Sequence, residues 1–475
     1  MVSMLFLSFT ALLALVFEAS VRYAVFNGAD AAVECSARSV LSCYDRELYE
    51  RYGIFACQMG EEEIESEMSA MLDTSLEASD FFRTQLNDVY VESSAFNLSE
   101  PDNFKAQVTE LMKYRLAENA LKSLESSFDS VKTGMEDMDE LSEQISDGEL
   151  SMDEAEEAQK ERESSDEEDD DEEEVDFDSV REVHKQLRET KKMAEEAEPD
   201  DSGDDHVLRN KRIKKALPSE IQGSWMDHAF GGSGAFLSSA DMDMEDRLLV
   251  SAYVTEFFKD HVDGERSGFF QNEVEYVLYG DSSDQSNCRK AYTSVFSIRE
   301  AMNAAYIMTD STKRTEAAEL AEALTPGPWA ALTALIIITV WCSLESYNDL
   351  LNLSEGRGVP LIKTDETWMT DISGVTEGLV TGKCIPIPGD SSMKYQNYLL
   401  FLLMTQNEKT TMLRTMDLIQ INMKGSVRED FTISDHVTGF SVIAEVSKKS
   451  SSPYIGKTDF TISQLHTYAA DFNST

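Results

Sequence analysis

The sequence predicts an α+β protein that is mainly α, on three observations. Residues 1–17 carry no charged side chain, and this apolar run passes directly into residues spaced for a long helix. Later stretches repeat apolar residues three and four apart, as amphipathic helices do. Near the end, GFSVIAEVS (439–447) places Phe440, Val442, Ala444 and Val446 on one face, the period of a strand. The expected architecture is a long N-terminal membrane-anchored helix, a helical region, a disordered acidic insertion and a C-terminal mixed α/β domain with a small antiparallel sheet.

The opening stretch, MVSMLFLSFTALLALVFEASVRYA, sets the first element. Seventeen uncharged residues rise about 25 Å as a helix, just short of a hydrocarbon core of about 30 Å. A secretory signal would carry basic residues before the apolar run and small ones at a cleavage site after it. Here the first basic residue is Arg22, and Glu18-Ala19-Ser20 matches a cleavage site weakly. An anchor that stays is therefore expected. Opposite charges four apart at Glu18/Arg22, Glu34/Arg38, Arg46/Glu50 and Glu47/Arg51 extend the helical register to Gly53. Unbroken, residues 2–52 would form a spine of about 75 Å. Glu18 is expected at the headgroup boundary, paired with Arg22; neutralising a partner's cation is the alternative role.

Two acidic helical stretches are predicted next, at 61–92 and 103–145, the second with Val108, Leu111, Met112 and Leu116 on one face. From 146 the apolar residues thin out, and nine consecutive acids occupy 166–174. Such a run repels itself and builds no core, so 146–222 is expected to be a solvated linker with weak cation binding as its alternative use. It lacks the spaced ligands and turn glycine of a calcium loop. The basic cluster RNKRIKK (209–215) offsets the acidity, and GSWMDHAFGGSGAF (223–236) reads as a flexible connection rather than a phosphate loop.

Helices are then predicted at 247–258, 297–308 and 311–324, with a short apolar segment around Glu275. WAALTALIIITVWCSL (329–344) is between the usual lengths of a core helix and a membrane span. Its domain-like flanks favour a central core helix over 329–350; a second span and a docking helix are the alternatives. Apolar helices at 395–406 and 410–423 precede the strand. The division expected is 1–60 (membrane spine), 61–145 (acidic helices), 146–222 (linker) and 223–475 (mixed domain).

Composition bounds the function. With 90 acidic residues against 41 basic ones, the formal charge is −49 over 475 residues. That field repels nucleic acid, and it favours cations and basic partners. The six cysteines form no CxxC pair; Cys35 and Cys43 would lie about 12 Å apart along one helix, too far to bridge, and free thiols are expected, with a disulfide from Cys57 to a distant partner as the alternative. The six histidines stand singly, with no HExxH or GxSxG motif. No catalytic residue, cofactor or metal site is expected.

Several stretches together resemble a known family: residues 3–60, NEVEYVLYG (272–280), SIREAMNAAYIMTD (297–310), WCSLESYNDLLNLSEGRGVPLIKTDETW (341–368) and TMDLIQINM (415–423). They are similar to an uncharacterised bacterial family of Clostridia and relatives, a domain of unknown function found beside genes for tight-adherence pili. The similarity spans roughly 3–60 and 245–445, which makes the acidic middle an insertion. It implies a pseudopilin-like or pilus-associated surface protein, held by its N-terminal helix with its bulk outside the cytoplasm. The chain reaches the apolar run at Met1 without the leader that a prepilin peptidase needs, so either the start is misassigned or such processing does not occur.

The expected function is non-enzymatic: assembly or decoration of a tight-adherence, type IV pilus-like system by helix-on-helix association with pilin-like partners. Ala11, Ala14, Ala19 and Ser20 permit close approach, Met4, Leu5, Leu12 and Leu15 fill the seam, and Glu18 and Arg22 close it. Two other classes stay open. One is an acidic adhesin or cation-buffering surface protein; the other is a surface hydrolase assembled around His228, His261 or His436.

Overall fold

The computed structural model describes residues 2–78, 84–163, 176–196, 207–209, 214–223, 244–262, 269–377, 384–389, 393–448 and 460–469. In chain order the helices are α1 (Val2–Leu41), α2 (Arg46–Tyr52), α3 (Glu61–Ala78), α4 (Pro101–Arg115), α5 (Glu118–Glu163), α6 (Phe177–Glu196), α7 (Pro218–Gly223) and α8 (Met244–Phe257). They continue as α9 (Glu273–Tyr279), α10 (Asp284–Thr309), α11 (Ser311–Leu324), α12 (Ala330–Ser354), α13 (Ser373–Glu377), α14 (Tyr395–Thr405) and α15 (Glu408–Ser426). Three strands, β1 (Thr84–Glu92), β2 (Gly439–Lys448) and β3 (Phe460–Ala469), form one antiparallel sheet in the order β1-β2-β3.

The chain divides into two compact units. One comprises Met1–Arg115, Ala216–Ser224 and Thr415–Thr475; the other comprises Leu116–Lys215 and Trp225–Arg414. Neither is a single stretch of chain, because β2 pairs with a strand from the first hundred residues.

In the first unit the sheet carries the predicted alternation. Phe440, Val442, Ala444 and Val446 are buried on one face of β2, and Val89 and Val91 of β1 join them. The pairing sets Val89 opposite Ala444 and Val91 opposite Val442. Ile64, Met68, Leu72 and Leu76, each four residues apart on α3, cover that face together with Ala29, Val33, Ala37 and Val40 of α1. Residues 84–92 were expected as the end of a helix. Here TQLNDVYVE instead alternates exposed and buried positions, and pairing with β2 outweighs its acidic content.

The N-terminal spine is shorter than expected. α1 ends at Leu41 after 40 residues, about 60 Å. Asp45 then caps a new helix, accepting a hydrogen bond from the Leu48 amide at 3.2 Å. The charge pairs of 46–51 therefore belong to α2, which stops where expected, at Gly53 in the left-handed region with φ 67°.

The second unit is built around α12. Its residues from Ile336 to Leu350 are continuously buried, and it packs against α6, α10 and α11. The central core helix expected over 329–350 is present, and it runs on to Ser354. The predicted linker is the larger correction. α5 continues to Glu163, and Phe177–Glu196 forms α6. Phe177, Val180, His184, Leu187, Thr190 and Ala194 make a narrow stripe along α6 that is buried. A stripe this thin suffices because α12 is apolar around most of its surface. Most of the described acids of α5 are exposed, among them Asp153, which Arg181 bonds at 2.6 Å. The run of nine acids, most of the basic cluster and the glycine-rich loop lie outside the described residues.

Gly53 and Gly28 give a paired test. A Cβ at Gly53 would overlap the Leu111 side chain and sit at a left-handed φ, whereas one at Gly28 meets nothing within 4 Å. Gly53→Ala should cost about 1–3 kcal/mol and lower the melting temperature. Gly28→Ala, in an open helical position, should leave it unchanged or slightly raised. Equal melting of the two variants would contradict this placement of α2.

Candidate functional site

Two arrangements stand out: an uncovered apolar segment on α1 and a buried charge cluster around α12. From Ser3 to Phe17 every side chain on α1 is exposed, including Leu5 at 67%, Leu12 at 58% and Leu15 at 64%. Ala11 and Ala14 are exposed with them. Glu18 and Arg22 form the expected ion pair at 2.9 Å, one turn beyond the last of these residues. The same helix changes environment from Val25 on, where Val25, Ala29, Val33 and Ala37 are all within 2% of full burial. Sequence reasoning thus identified the segment and its charge pair. The seam among Leu5, Ala11, Leu12, Ala14 and Leu15 faces no other part of the described chain.

By length and composition both α1 and α12 could cross a membrane. They differ in burial: the apolar window of α1 is 0% buried and that of α12 is 72% buried. α12 spends its apolar surface inside the unit; the Ser3–Phe17 segment of α1 does not.

The charge cluster is composed of residues that sequence reasoning did not single out. Glu345 and Asp349 sit four apart on α12, and Arg299 and Asn303 four apart on α10, so each pair shares a helix face. Lys363, from the connection after α12, bonds Glu345 at 2.6 Å and Asp349 at 2.5 Å. Arg299 donates from Nε to Asp349 at 2.9 Å and from Nη1 to the carbonyls of Pro360 and Leu361 at 3.1 and 2.9 Å. Glu345 also accepts from the Met369 and Thr370 amides at 3.1 and 2.8 Å. All four charged side chains are fully buried. Two cations and two anions leave no net charge, and each is further hydrogen-bonded, which is what allows burial at all. Burial, then the neighbouring Asp349, raises the Glu345 carboxyl above its usual range, and Lys363 opposes this. The available signal was the i, i+4 acids within an otherwise apolar helix.

Elsewhere the polar groups are local. In the first unit His436 has Nδ1 2.9 Å from the Thr432 carbonyl and Nε2 3.3 Å from Asp45, which also pairs with Arg428. Burial pushes the Asp45 carboxyl up, but bonds from Leu48, His436 and Arg428 outweigh it and hold it low. In the second unit Glu275 is fully buried, with Oε1 accepting from the His261 amide at 3.0 Å. Burial first, and Asp260 second, push its carboxyl up to about 8. A cavity of about 500 Å³ lies beside α5, α6 and α12. Its cations Arg188, Lys191 and Lys192 are paired with Glu149, Glu300 and Glu196. Of the histidines proposed for a hydrolase site, His228 lies outside the described residues, while His261 and His436 fall in different units. Cys57, Cys288 and Cys342 are buried, and burial raises the Cys57 thiol to about 12.

These features define a mainly helical protein with a small antiparallel sheet and an apolar N-terminal helix long enough to span a membrane. The chain belongs to a family of unknown function (DUF5702), which matches residues 138–448. That span holds Arg299, Glu345, Asp349 and Lys363, and it runs through the acidic middle that was expected to be an insertion; residues 3–60 precede it. No curated protein and no solved structure matches the chain.

Two outcomes follow. Lys363→Met strands two buried carboxylates beside a single cation and should cost about 3–5 kcal/mol, read as a lower denaturant midpoint. A variant as stable as the parent would show that the cluster is not closed. Glu275 has its proton held more tightly in the folded state, with a value near 8 against an ordinary 4.5. Its contribution is therefore complete below about pH 4.5 and is lost as pH rises toward about 8, up to about 5 kcal/mol. Glu275→Gln should flatten the fall in melting temperature between about pH 5 and 8, the window between the two values; an unchanged profile would contradict the burial of this carboxyl.

Proposed function

We propose that the chain is a membrane-anchored structural protein without enzymatic activity, acting by helix–helix association in a tight-adherence, type IV pilus-like system. α1 crosses the membrane once, and the two units lie outside the cytoplasm. Its partners are the bilayer and other pilin-like or pilus-assembly proteins.

The observation that carries this reading is the change of environment along α1. Fifteen residues from Ser3 to Phe17 are exposed on all sides, and water is a poor solvent for that much contiguous apolar surface. Lipid satisfies every side of such a helix at once, and a helix satisfies its own backbone there. Small residues at Ala11 and Ala14 beside Leu12 and Leu15 suit packing against a second helix in lipid. Glu18 and Arg22 neutralise one another at the boundary, which lowers the cost of placing either near the headgroups.

Removing residues 2–17 should move the protein from the membrane to the soluble fraction with its two units folded. Membrane fractionation unchanged by the deletion would sink the anchor. Ala14→Leu should weaken cross-linking between neighbouring helices while leaving fractionation intact; undiminished cross-linking would set aside the helix-packing role.

A further inference from the structure

Lys313, in the first turn of α11, has its ammonium over three aromatic rings at once. Nζ lies 5.5 Å from the Trp368 ring centre, 5.7 Å from Trp341 and 5.8 Å from Tyr306. Asp365 and Asp310 approach it at 3.6 and 3.8 Å. The walls are fixed by their own bonds rather than by the lysine. The indole of Trp341 donates to the Thr370 hydroxyl at 3.1 Å, that of Trp368 to the Thr370 carbonyl at 3.1 Å, and the Tyr306 hydroxyl to Asp365 at 2.8 Å. Trp341 stands edge-on to Trp368 at 5.6 Å, and Tyr306 lies 5.6 Å from Trp368 on its other contact.

We infer that Tyr306, Trp341 and Trp368 form a binding cage for a methylated ammonium cation, occupied in this structure by the chain's own Lys313, which the ligand displaces.

Three facts carry the inference. Ring faces attract cations within about 6 Å, and three converging faces with two carboxylates are far more than one surface lysine requires. The spacing is also wide for a bare ammonium. A methyl carbon sits about 1.5 Å from its nitrogen and about 3.5–4.0 Å from ring carbons, so a trimethylammonium needs about 5–5.5 Å between nitrogen and ring. The observed 5.5–5.8 Å leaves room for methyl groups on all three sides.

Displacement is also inexpensive. The Lys313 side chain is 13% exposed and both its ion pairs are long; the one with Asp365, itself 82% exposed, contributes about 1 kcal/mol or less. The lysine can swing into water on its flexible stem. Asp310 and Asp365 further select the charge of the ligand. They favour a simple cation such as choline and disfavour a zwitterion whose phosphate would face two carboxylates.

The test uses the full-length protein in a maltoside detergent free of choline groups. Tryptophan fluorescence is followed while choline, tetramethylammonium or phosphorylcholine is added, with sodium chloride at matched ionic strength as the control. Lys313→Ala should bind choline saturably with Kd about tenfold lower than the parent, as expected when an internal competitor worth one cation–π contact is removed. Tyr306→Ala in the Lys313→Ala background should weaken that binding. Lys313→Gln, which keeps the stem, is held to the same outcomes where the alanine variant does not fold. A folded Lys313 variant that responds to choline no differently than to sodium chloride overturns the cage. So does binding unaffected by Tyr306→Ala. Phosphorylcholine binding as tightly as choline overturns the choice of a simple cation in favour of a lipid headgroup, and equal affinity of parent and Lys313→Ala overturns the displacement.

Discussion

One helix has two environments, and the first unit is built on one of them. From Val25 to Val40, α1 supplies one wall of the core against which β2 and α3 pack, with Val33 and Ala37 fully buried. From Ser3 to Phe17 the same rod exposes apolar side chains in every direction. No residue between these segments breaks the helix: Gly28 is helical and Glu18–Arg22 spans the join as an i, i+4 pair. Because an α-helix is stiff over this length, the orientation of the uncovered segment is transmitted to the sheet. The sheet in turn joins β1, from the first hundred residues, to β2 and β3, from the last forty.

The second unit solves a different problem. α12 is apolar enough to cross a membrane but is buried, and at its C-terminal half it carries two acids into the core. Such a placement is tolerable only if the charges are neutralised on the spot, and Arg299 with Lys363 does this from two other segments. The cluster therefore acts as a register pin. It ties α10, α12 and the 359–370 connection to one another through the bonds among Arg299, Glu345, Asp349 and Lys363. The aromatic cage is built on the same frame, with Tyr306 two turns beyond Arg299, Trp341 one turn before Glu345, and Trp368 beside the amides that bind Glu345.

Much of the fold was legible in the sequence where one physical signal acted alone. The uncharged opening, the alternation at 439–447, the core helix at 329–350 and the stop at Gly53 each rest on a single pattern. Legibility failed where two signals competed. Residues 84–92 are acidic yet alternate in burial, and pairing with a strand 350 residues away decides between the readings. Residues 177–196 are so polar that the stripe from Phe177 to Ala194 reads as weak, and only the apolar partner helix makes it sufficient. The break at Ser42–Asp45 depends on a cap whose side chain is also held by Arg428 and His436, residues that local spacing cannot reveal. The charge cluster and the cage were invisible for the same reason: their members are ordinary residues far apart in sequence, and only the tertiary packing brings them together. The apolar opening of α1, by contrast, is local, and the helix and its Glu18–Arg22 ion pair are both present.

The central claim is that lipid, not water or another part of this chain, surrounds residues 3–17 while the rest of α1 belongs to a folded body. Spin labels at Leu12 and at Arg38, in protein reconstituted into liposomes, test it through collision with oxygen, which partitions into lipid, and with a water-soluble nickel chelate. The account predicts a label at Leu12 that is reached by oxygen and shielded from nickel, and a label at Arg38 with the opposite preference. Nickel access at Leu12 equal to that at Arg38 would contradict it.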